Sequence, residues 1–190
     1  MSHLNVTLCP LAPDDLPAYR ALYEEAFPPA ERKTLSFMTD GRRAAAYDLL
    51  VIRSALSPVS GMVILARHGD LVLLDYFAVS PALRGQGIGR AALPLIRAFC
   101  IRRHPGCHLF LEIEVPSGDC PNPVQRTRRK AFYLSAGLRE TGLHFHIYGS
   151  DMELLAYPED VPHVTLTGYR ALLCALFPAD MVPAEADAGQ

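Results

Sequence analysis

The 190-residue sequence lacks the features that mark membrane proteins and dedicated nucleic-acid-binding proteins. It has no apolar run of about eighteen residues, the length that a membrane-spanning helix needs, and the stretch MSHLNVTLCP lacks the basic and apolar regions of a signal peptide. Its 18 Lys and Arg against 20 Asp and Glu give a net charge of -2, without the positive excess of a nucleic-acid binder. We therefore expect a cytoplasmic protein with no membrane and no nucleic-acid partner.

The cysteines show neither a disulfide pattern nor a zinc pattern. They form an odd set without a C-x-x-C pair, which favours reduced, mostly buried thiols with no chemical role. His144 and His146 share a predicted strand face, but no cysteine or carboxylate completes a ligand set at useful spacing, so no metal is expected. The five cysteines are Cys9, Cys100, Cys107, Cys120 and Cys174.

The sequence does contain a regular succession of strand and helix patterns. An edge strand is predicted at HLNVTLCPL, followed by a helix with an aspartate cap at PDDLPAYRALYEEAF and by a second helical region broken near Gly41. An antiparallel meander of three strands should follow, with turns at SPVS and HGD. The remaining pattern predicts a helix over about residues 88–103, a strand at CHLFLEIEV, a helix closed by Gly137, and a final pair of strands.

This order of elements, β-α-α-β-β-β-α-β-α-β-β, predicts an α/β (α+β mixed) fold. We expect a central, mixed, mostly antiparallel and twisted sheet of about six to seven strands, flanked by helices on both faces. Beyond Pro158, a further helix is predicted from VTLTGYRALLCALF and a loose tail from PADMVPAEADAGQ. The predicted organisation is one domain over residues 1–157 and a C-terminal helical extension with tail over residues 158–190.

A glycine-rich stretch, LRGQGIGR at residues 83–90, lies between two apolar segments. A glycine turn that opens a helix presents backbone N–H groups and the positive end of the helix dipole, which favour a phosphate. The P-loop pattern fails, because Arg90 and Ala91 follow Gly89 where a lysine and a hydroxyl are needed. The dinucleotide-binding pattern fits poorly, since the glycines are two residues apart and follow a meander. A tight turn packed between two core elements is the structural alternative.

A third pattern, R/Q-x-x-G-x-G/A, is met by Arg84, Gly87 and Gly89. It resembles the acetyl-CoA pyrophosphate loop of the GNAT superfamily of N-acetyltransferases. The resemblance extends over LDYFAVSPALRGQGIGRAAL and, downstream, to LFLEIEV and AFYLSAGL, which are similar to a strand and a helix end of that family. Together these segments cover roughly residues 71–140.

The resemblance implies a GNAT-type fold with acetyl-CoA as the acyl donor and no metal. It also implies that the strand before the loop bulges, so that the N–H groups of Phe77 and Val79 pair with the pantetheine arm and one of them polarises the thioester carbonyl. The cofactor-binding residues implied in this way are Phe77, Ala78, Val79, Arg84, Gly85, Gln86, Gly87, Ile88, Gly89 and Arg90.

Three glutamates are candidates for contact with an amine. Strand alternation in LFLEIEV places Glu112 and Glu114 on one face, where burying unpaired carboxylates would be costly. They therefore either form structural salt bridges or line a wet cleft in which a carboxylate binds an ammonium group and takes up its proton. Glu31, in FPPAERK, is a further candidate for substrate binding, with a helix-surface charge as the alternative.

Two tyrosines and a basic cluster complete the candidate residues. Tyr133 matches the tyrosine with which many members of the family protonate the departing thiolate, and a packed aromatic at a helix end is the alternative. Tyr76, beside the predicted bulge, is a candidate for substrate contact, although core packing explains it equally well. The basic cluster begins a helix, at the end where the dipole disfavours cations; it indicates either a nearby anion, such as the cofactor 3′-phosphate or an acidic acceptor, or a solvated charge run. Its members are Arg126, Arg128, Arg129 and Lys130.

The leading functional hypothesis is an acetyl-CoA-dependent N-acetyltransferase in which a primary amine attacks the donor directly in a ternary complex. A non-catalytic acyl-CoA-binding regulatory domain is the alternative, and transfer of a longer acyl chain is disfavoured by the bulk of Tyr76 and Phe77. No motif identifies the acceptor, which can be a small-molecule amine or a peptide amine. A homodimer is an assembly that the sequence leaves open.

Overall fold

The computed structural model describes residues 5–41, 43–117, 120, 122–147, 149–178 and 182. Over these residues the chain forms seven strands and five α-helices. The strands are β1 (Thr7–Pro10), β2 (Tyr47–Ser54), β3 (Ser57–His68), β4 (Leu71–Val79), β5 (His108–Glu114), β6 (Arg139–Ile147) and β7 (Ser150–Ala156). The helices are α1 (Leu16–Ala26), α2 (Leu35–Thr39), α3 (Ile88–Arg103), α4 (Pro123–Ser135) and α5 (Leu166–Leu176).

The strands belong to one mixed sheet with the order β1-β2-β3-β4-β5-β7-β6. The β1–β2, β2–β3, β5–β7 and β6–β7 pairs are antiparallel. The β4–β5 pair is parallel and runs from Leu71↔His108 to Leu73↔Phe110, because α3 supplies the crossover connection that a parallel pair requires. The predicted α/β (α+β mixed) class, with a mostly antiparallel sheet, is confirmed.

The predicted order of elements is confirmed as well. The helix expected over residues 88–103 is α3, and the helix expected beyond Pro158 is α5. No helix in the described ranges combines the length and the apolar character that crossing a membrane requires. Most of the predicted tail lies outside the described residues, and the boundary between residues 157 and 158 stays a prediction.

The described residues group into two compact units, and β4 contributes residues to both. The first unit lies within Met1–Arg67 and Leu74–Pro105. Its core is built on β2 and β3, whose apolar central residues are buried, as nearly continuous apolar strands require. Helix α1 adds its apolar side to this core, where the Tyr19 hydroxyl donates a hydrogen bond to the Val63 carbonyl at 2.9 Å.

The second unit lies within His68–Leu73 and Gly106–Gln190 and has helices on both faces of its strands. Glu112 of β5 pairs with Leu154 of β7, so the adjacent Glu153 points to the opposite face. Lys130 of α4 binds Glu153 at 2.9 Å, whereas Tyr169 of α5 donates a hydrogen bond to Glu112. Helix α4 therefore contacts the face that carries Glu153, and helix α5 contacts the face that carries Glu112.

Two local predictions are wrong. The turn between β2 and β3 is formed by residues 55–56, and SPVS instead begins β3, where Ser57 pairs with Ser54. Asp15 precedes α1 but does not cap it with its side chain, because the carboxylate lies 2.7 Å from the guanidinium of Arg53. In both places a partner from a neighbouring strand replaces the local interaction that the sequence pattern favoured.

Candidate active site

The loop between β4 and α3 has a backbone conformation that glycine adopts without strain. Gly85 and Gly87 have φ angles of 77° and 83°, in the left-handed region, and Gly87 is the N-cap of α3. A Cβ atom built on either residue would meet no atom within 4 Å, so the space beside the loop is open. The loop leads directly into the first turn of α3, whose N–H groups and dipole favour an anion.

The polar side chains of this loop lie at the surface. Arg84, Gln86 and Arg90 are exposed, while Ile88 is buried and fixes the start of α3 in the core. The Arg84 Nε atom donates to the Val79 carbonyl at 3.3 Å, which directs this arginine back along the end of β4. Cationic side chains and open backbone thus occur together, as binding of a diphosphate requires.

The end of β4 directs the N–H groups of two residues away from β3. The Ser80 N–H donates to a carbonyl of β3 at 3.0 Å. The Ala78 carbonyl lies against Gly61 of β3, where a Cβ would come within 2.6 Å of the oxygen. Because successive residues of a strand direct their backbone groups alternately to its two sides, the N–H groups of Phe77 and Val79 point away from β3. Gly61 permits the close approach of the Ala78 carbonyl to β3.

A buried ion pair lies two residues before Phe77 on the same strand. The Lys33 Nζ atom is 2.8 Å from Asp75 Oδ2, and the two side chains are 0% and 5% exposed. Burial raises the pKa of the Asp75 carboxyl, and the neighbouring ammonium of Lys33 opposes that shift. The pair connects β4 to the segment that follows α1.

Tyr76 fixes the backbone of that same segment. Its hydroxyl donates to the Glu31 carbonyl at 2.7 Å and accepts from the Lys33 N–H at 3.2 Å. The Tyr23 hydroxyl donates to the Lys33 carbonyl at 3.0 Å, and its ring contacts the Tyr76 ring edge-on. Tyr76 is buried, so the structure places it beneath the segment, while Glu31 is exposed at the end of a short 3₁₀ helix.

In the second unit, Glu112 receives a hydrogen bond from the hydroxyl of Tyr169 on α5. Glu112 is partly buried, and Tyr169 is buried with its ring edge-on to Phe110 at 6.0 Å. A hydroxyl that donates to a carboxylate favours the charged form of that carboxylate. The structure thus orients Glu112 through a residue of the C-terminal helix.

Glu114 has a different environment, although it shares a strand face with Glu112. Its two oxygens lie 2.6 Å from Arg126 Nη2 and 3.1 Å from Arg129 Nη1. Lys130 of the same helix binds the buried Glu153. The basic cluster predicted a nearby anion. For Arg126, Arg129 and Lys130, that anion is a carboxylate of the protein itself. Glu114 therefore forms the structural salt bridges that were its alternative interpretation.

Tyr133 is buried near the end of α4. Burial raises the pKa of its hydroxyl to about 12, and the nearby charge of Arg129 acts in the opposite direction. The hydroxyl therefore keeps its proton at neutral pH and can donate it. Gly137, with a φ of 101°, ends the helix as predicted, and the Leu138 N–H donates to the Tyr133 carbonyl at 3.2 Å. Tyr133 belongs to the helix whose Arg126 and Arg129 bind Glu114 and whose Lys130 binds Glu153.

The two histidines considered as metal ligands have other neighbours. His146 Nδ1 lies 2.8 Å from an oxygen of Asp151, and His144 pairs with Glu153 across β6 and β7. Among the residues whose placement is described, no group of three or more His, Cys, Asp or Glu residues could hold a metal ion.

Sequence reasoning missed three residues of these arrangements. Gly61 lies within an apolar strand pattern, and Lys33 lies in a polar stretch that looks like helix surface. Tyr169 precedes Leu172, Leu173 and Leu176 at helical spacing, which indicates only a buried helix face. None of these signals distinguishes a site residue from ordinary packing.

Comparison with known proteins assigns the chain to a family. The model of the acetyltransferase (GNAT) family matches residues 14–119, more than half of the sequence, and the chain belongs to this family. It is therefore an acetyltransferase, as the resemblance predicted. No curated protein matches the sequence significantly.

Solved structures of the same family share the fold. A protein assigned to the GNAT family from Bacteroides thetaiotaomicron has a TM-score of 0.66 at 22% identity, covering 90% of this chain and 97% of that one. Spermidine N-acetyltransferase from Vibrio cholerae, in complex with CoA and spermine, has a TM-score of 0.63 at 15% identity, covering 83% and 98%. Ribosomal-protein-S18-alanine N-acetyltransferase from Escherichia coli has a TM-score of 0.55 at 22% identity, covering 80% and 93%.

Proposed function

We propose that the protein transfers the acetyl group of acetyl-CoA to a primary amine by direct attack in a ternary complex. The observation that carries this proposal is the end of β4, where the N–H groups of Phe77 and Val79 point away from β3 just before the open glycine loop. An extended pantetheine arm can pair with such N–H groups as an added strand, and one of them can polarise the thioester carbonyl.

The loop and the first turn of α3 bind the diphosphate of the donor in this arrangement. Backbone N–H groups supply most of the contacts, and the two arginines add charge-assisted hydrogen bonds. The left-handed glycines and the open space beside them support this role. The binding residues are Arg84, Gly85, Gln86, Gly87, Ile88, Gly89 and Arg90.

Glu112 and Tyr133 serve the two proton transfers of the reaction. Glu112 binds the ammonium group and takes one proton from it, and the amine nitrogen then bonds to the thioester carbon. As the carbon–sulfur bond breaks, Tyr133 protonates the leaving thiolate. The nitrogen gives up its second proton to become an amide, and that proton restores the Tyr133 hydroxyl through solvent, while Glu112 returns its proton to solvent. Glu112 on β5 and Tyr133 on α4 belong to the same compact unit, and burial of the Tyr133 hydroxyl, which raises its pKa to about 12, keeps on it the proton that it donates.

The acceptor in this proposal is a cationic small molecule or peptide amine. Glu31 is exposed on a segment whose backbone is held by Tyr76, so its carboxylate is presented on a rigid support. Tyr76 then contributes to the acceptor site by positioning this segment. Proteins of the same fold include one named for spermidine and one named for the alanine of a ribosomal protein, so both kinds of amine are suitable probes.

The proposal is tested by measuring release of CoA from acetyl-CoA in the presence of spermidine, spermine and a short peptide with a free amino-terminal alanine. We expect turnover with at least one of these amines and a loss of roughly 10² or more in the Glu112→Gln variant. Calorimetric titration should give the same acetyl-CoA affinity for both proteins. Tight binding of acetyl-CoA without release of CoA for any amine would favour a non-catalytic acyl-CoA-binding domain instead.

A further inference from the structure

The segment after β7 runs along the face of β5 that carries Glu112. At the start of the strand, Asp160 accepts a hydrogen bond from the Leu109 N–H at 3.3 Å and lies 3.2 Å from His108 Nδ1. The His163 ring stacks on the His108 ring, with centroids 3.9 Å apart and planes within 8°. The first part of this segment is therefore fixed to the beginning of β5.

Helix α5 continues along the same face. Gly168 lies so close to the start of β4 that a Cβ atom there would come within 2.7 Å of Leu71 Cδ1. This close approach brings the next residue, Tyr169, against Phe110 and against Phe145, whose ring centroid is 5.0 Å away. The Tyr169 hydroxyl then reaches Glu112.

We propose that Tyr169 is a positioning residue for Glu112, and that the C-terminal helix is thereby part of the acceptor site. Two aromatic contacts hold the ring, so the hydroxyl has a fixed direction, and its hydrogen bond orients the carboxylate and favours its charged form. The residue lies well beyond residue 119, where the match to the family model ends, so that match does not assign this contact. The inference rests on the proposed role of Glu112 as the base.

The test compares Tyr169→Phe with the wild-type protein, using the best acceptor among spermidine, spermine and the alanine peptide. The variant keeps the ring and loses the hydroxyl, so we expect a kcat lower by about tenfold or more and an unchanged KM for acetyl-CoA. The acidic limb of the pH profile of kcat/KM should move to higher pH, because the carboxylate loses a donor that favours its charged form. A purely structural hydroxyl would not move that limb.

Tyr19→Phe is the matched control. This variant also removes a buried tyrosine hydroxyl, but the acceptor of its hydrogen bond is the Val63 carbonyl and no carboxylate. It should keep both the kcat and the pH profile of the wild type. A loss of kcat and a shifted acidic limb equal to those of Tyr169→Phe would overturn the proposal, since any buried hydroxyl would then have the same effect.

Combining Tyr169→Phe with Glu112→Gln distinguishes the positioning role of Tyr169 from the proposed role of Glu112 as the base. If Tyr169 acts through Glu112, adding Tyr169→Phe to Glu112→Gln should lower kcat no further. Wild-type turnover and an unmoved acidic limb in Tyr169→Phe, while Glu112→Gln is inactive, would overturn the positioning role and leave the proposed function intact. Full activity of Glu112→Gln would overturn both.

A fluorinated tyrosine at position 169 keeps the test decisive if Tyr169→Phe does not fold. Ring fluorination makes the hydroxyl a stronger donor while preserving the aromatic packing. The acidic limb should then move to lower pH, opposite to the effect of losing the hydroxyl. An acidic limb that stays at the wild-type position would contradict the proposal.

Discussion

Lys33 and Asp75 form an ion pair at 2.8 Å with both side chains withdrawn from water. The ammonium also lies 4.9 Å from the centroid of the Tyr76 ring, which adds a cation–π contact. The pair joins the segment that carries Glu31 to the strand that carries Phe77. Its integrity should therefore matter both for stability and for the geometry of the candidate site.

Asp75→Asn should lower the free energy of unfolding by about 3–5 kcal/mol, because Lys33 loses its carboxylate partner while its charge stays buried. Denaturant titration measures this loss. Asp40→Asn is the matched control, since its pair with Arg43 has side chains 60% and 41% exposed and should contribute about 0–1 kcal/mol. Similar small losses in the two variants would show that water screens Lys33.

Gly87→Ala should abolish most of the thermal stabilisation by acetyl-CoA. In the wild type, a ligand at a hundredfold excess over its Kd adds about 2.7 kcal/mol of stability. A side chain at Gly87 strains a φ of 83° and places a Cβ in the open space proposed for the diphosphate. Gly69 also has a left-handed φ, 62°, with open space beside it. Gly69→Ala therefore introduces a comparable backbone strain outside the glycine-rich loop and is the matched control. Equal responses of the two variants to acetyl-CoA would show that the loop is only a turn.

Glu114→Gln should affect stability more than turnover. The carboxylate lies between Arg126, which is buried, and Arg129, so its neutral replacement should cost about 1–3 kcal/mol of unfolding free energy. Turnover at saturating acetyl-CoA should stay within a few-fold of the wild type. For Glu112→Gln we expect the opposite pattern, in which turnover is affected more than stability. A large loss of kcat in a stable Glu114→Gln protein would assign the base to Glu114.

Tyr133→Phe should lose at least tenfold in kcat at every pH between about 6 and 10. Burial raises the pKa of this hydroxyl to about 12, so the tyrosine keeps its proton across that range and its own ionisation should not limit the wild type. The variant should bind acetyl-CoA normally and differ in unfolding free energy by only about 1 kcal/mol. Retention of most of the turnover would mean that water or another group protonates the thiolate.

The order of the elements and the glycine loop could be predicted from the sequence because the signals are local. The α3 helix begins and ends where the pattern predicts, and Gly137 ends α4 because a left-handed residue is needed there. The turn at residues 55–56 could not be predicted, since the serines and proline of SPVS are common in turns and here lie in a strand.

The roles of the two glutamates on β5 could not be separated from the sequence. Strand alternation gives Glu112 and Glu114 the same direction, and their difference depends on which helix approaches each of them. Glu114 lies 12 residues before Arg126, whereas Glu112 lies 57 residues before Tyr169. A pattern read over a few neighbouring residues contains neither partner.

By itself, the sequence determined the family, the fold class and the position of the glycine-rich loop, because periodicity, capping glycines and a short motif depend on residues close together in the chain. Only the tertiary structure decided which charges are buried together, as in Lys33 and Asp75, which are 42 residues apart. It also decided that a C-terminal tyrosine reaches Glu112. The physical reason is that the energy of a buried polar group depends on the partner that packing brings to it, whatever the distance along the chain.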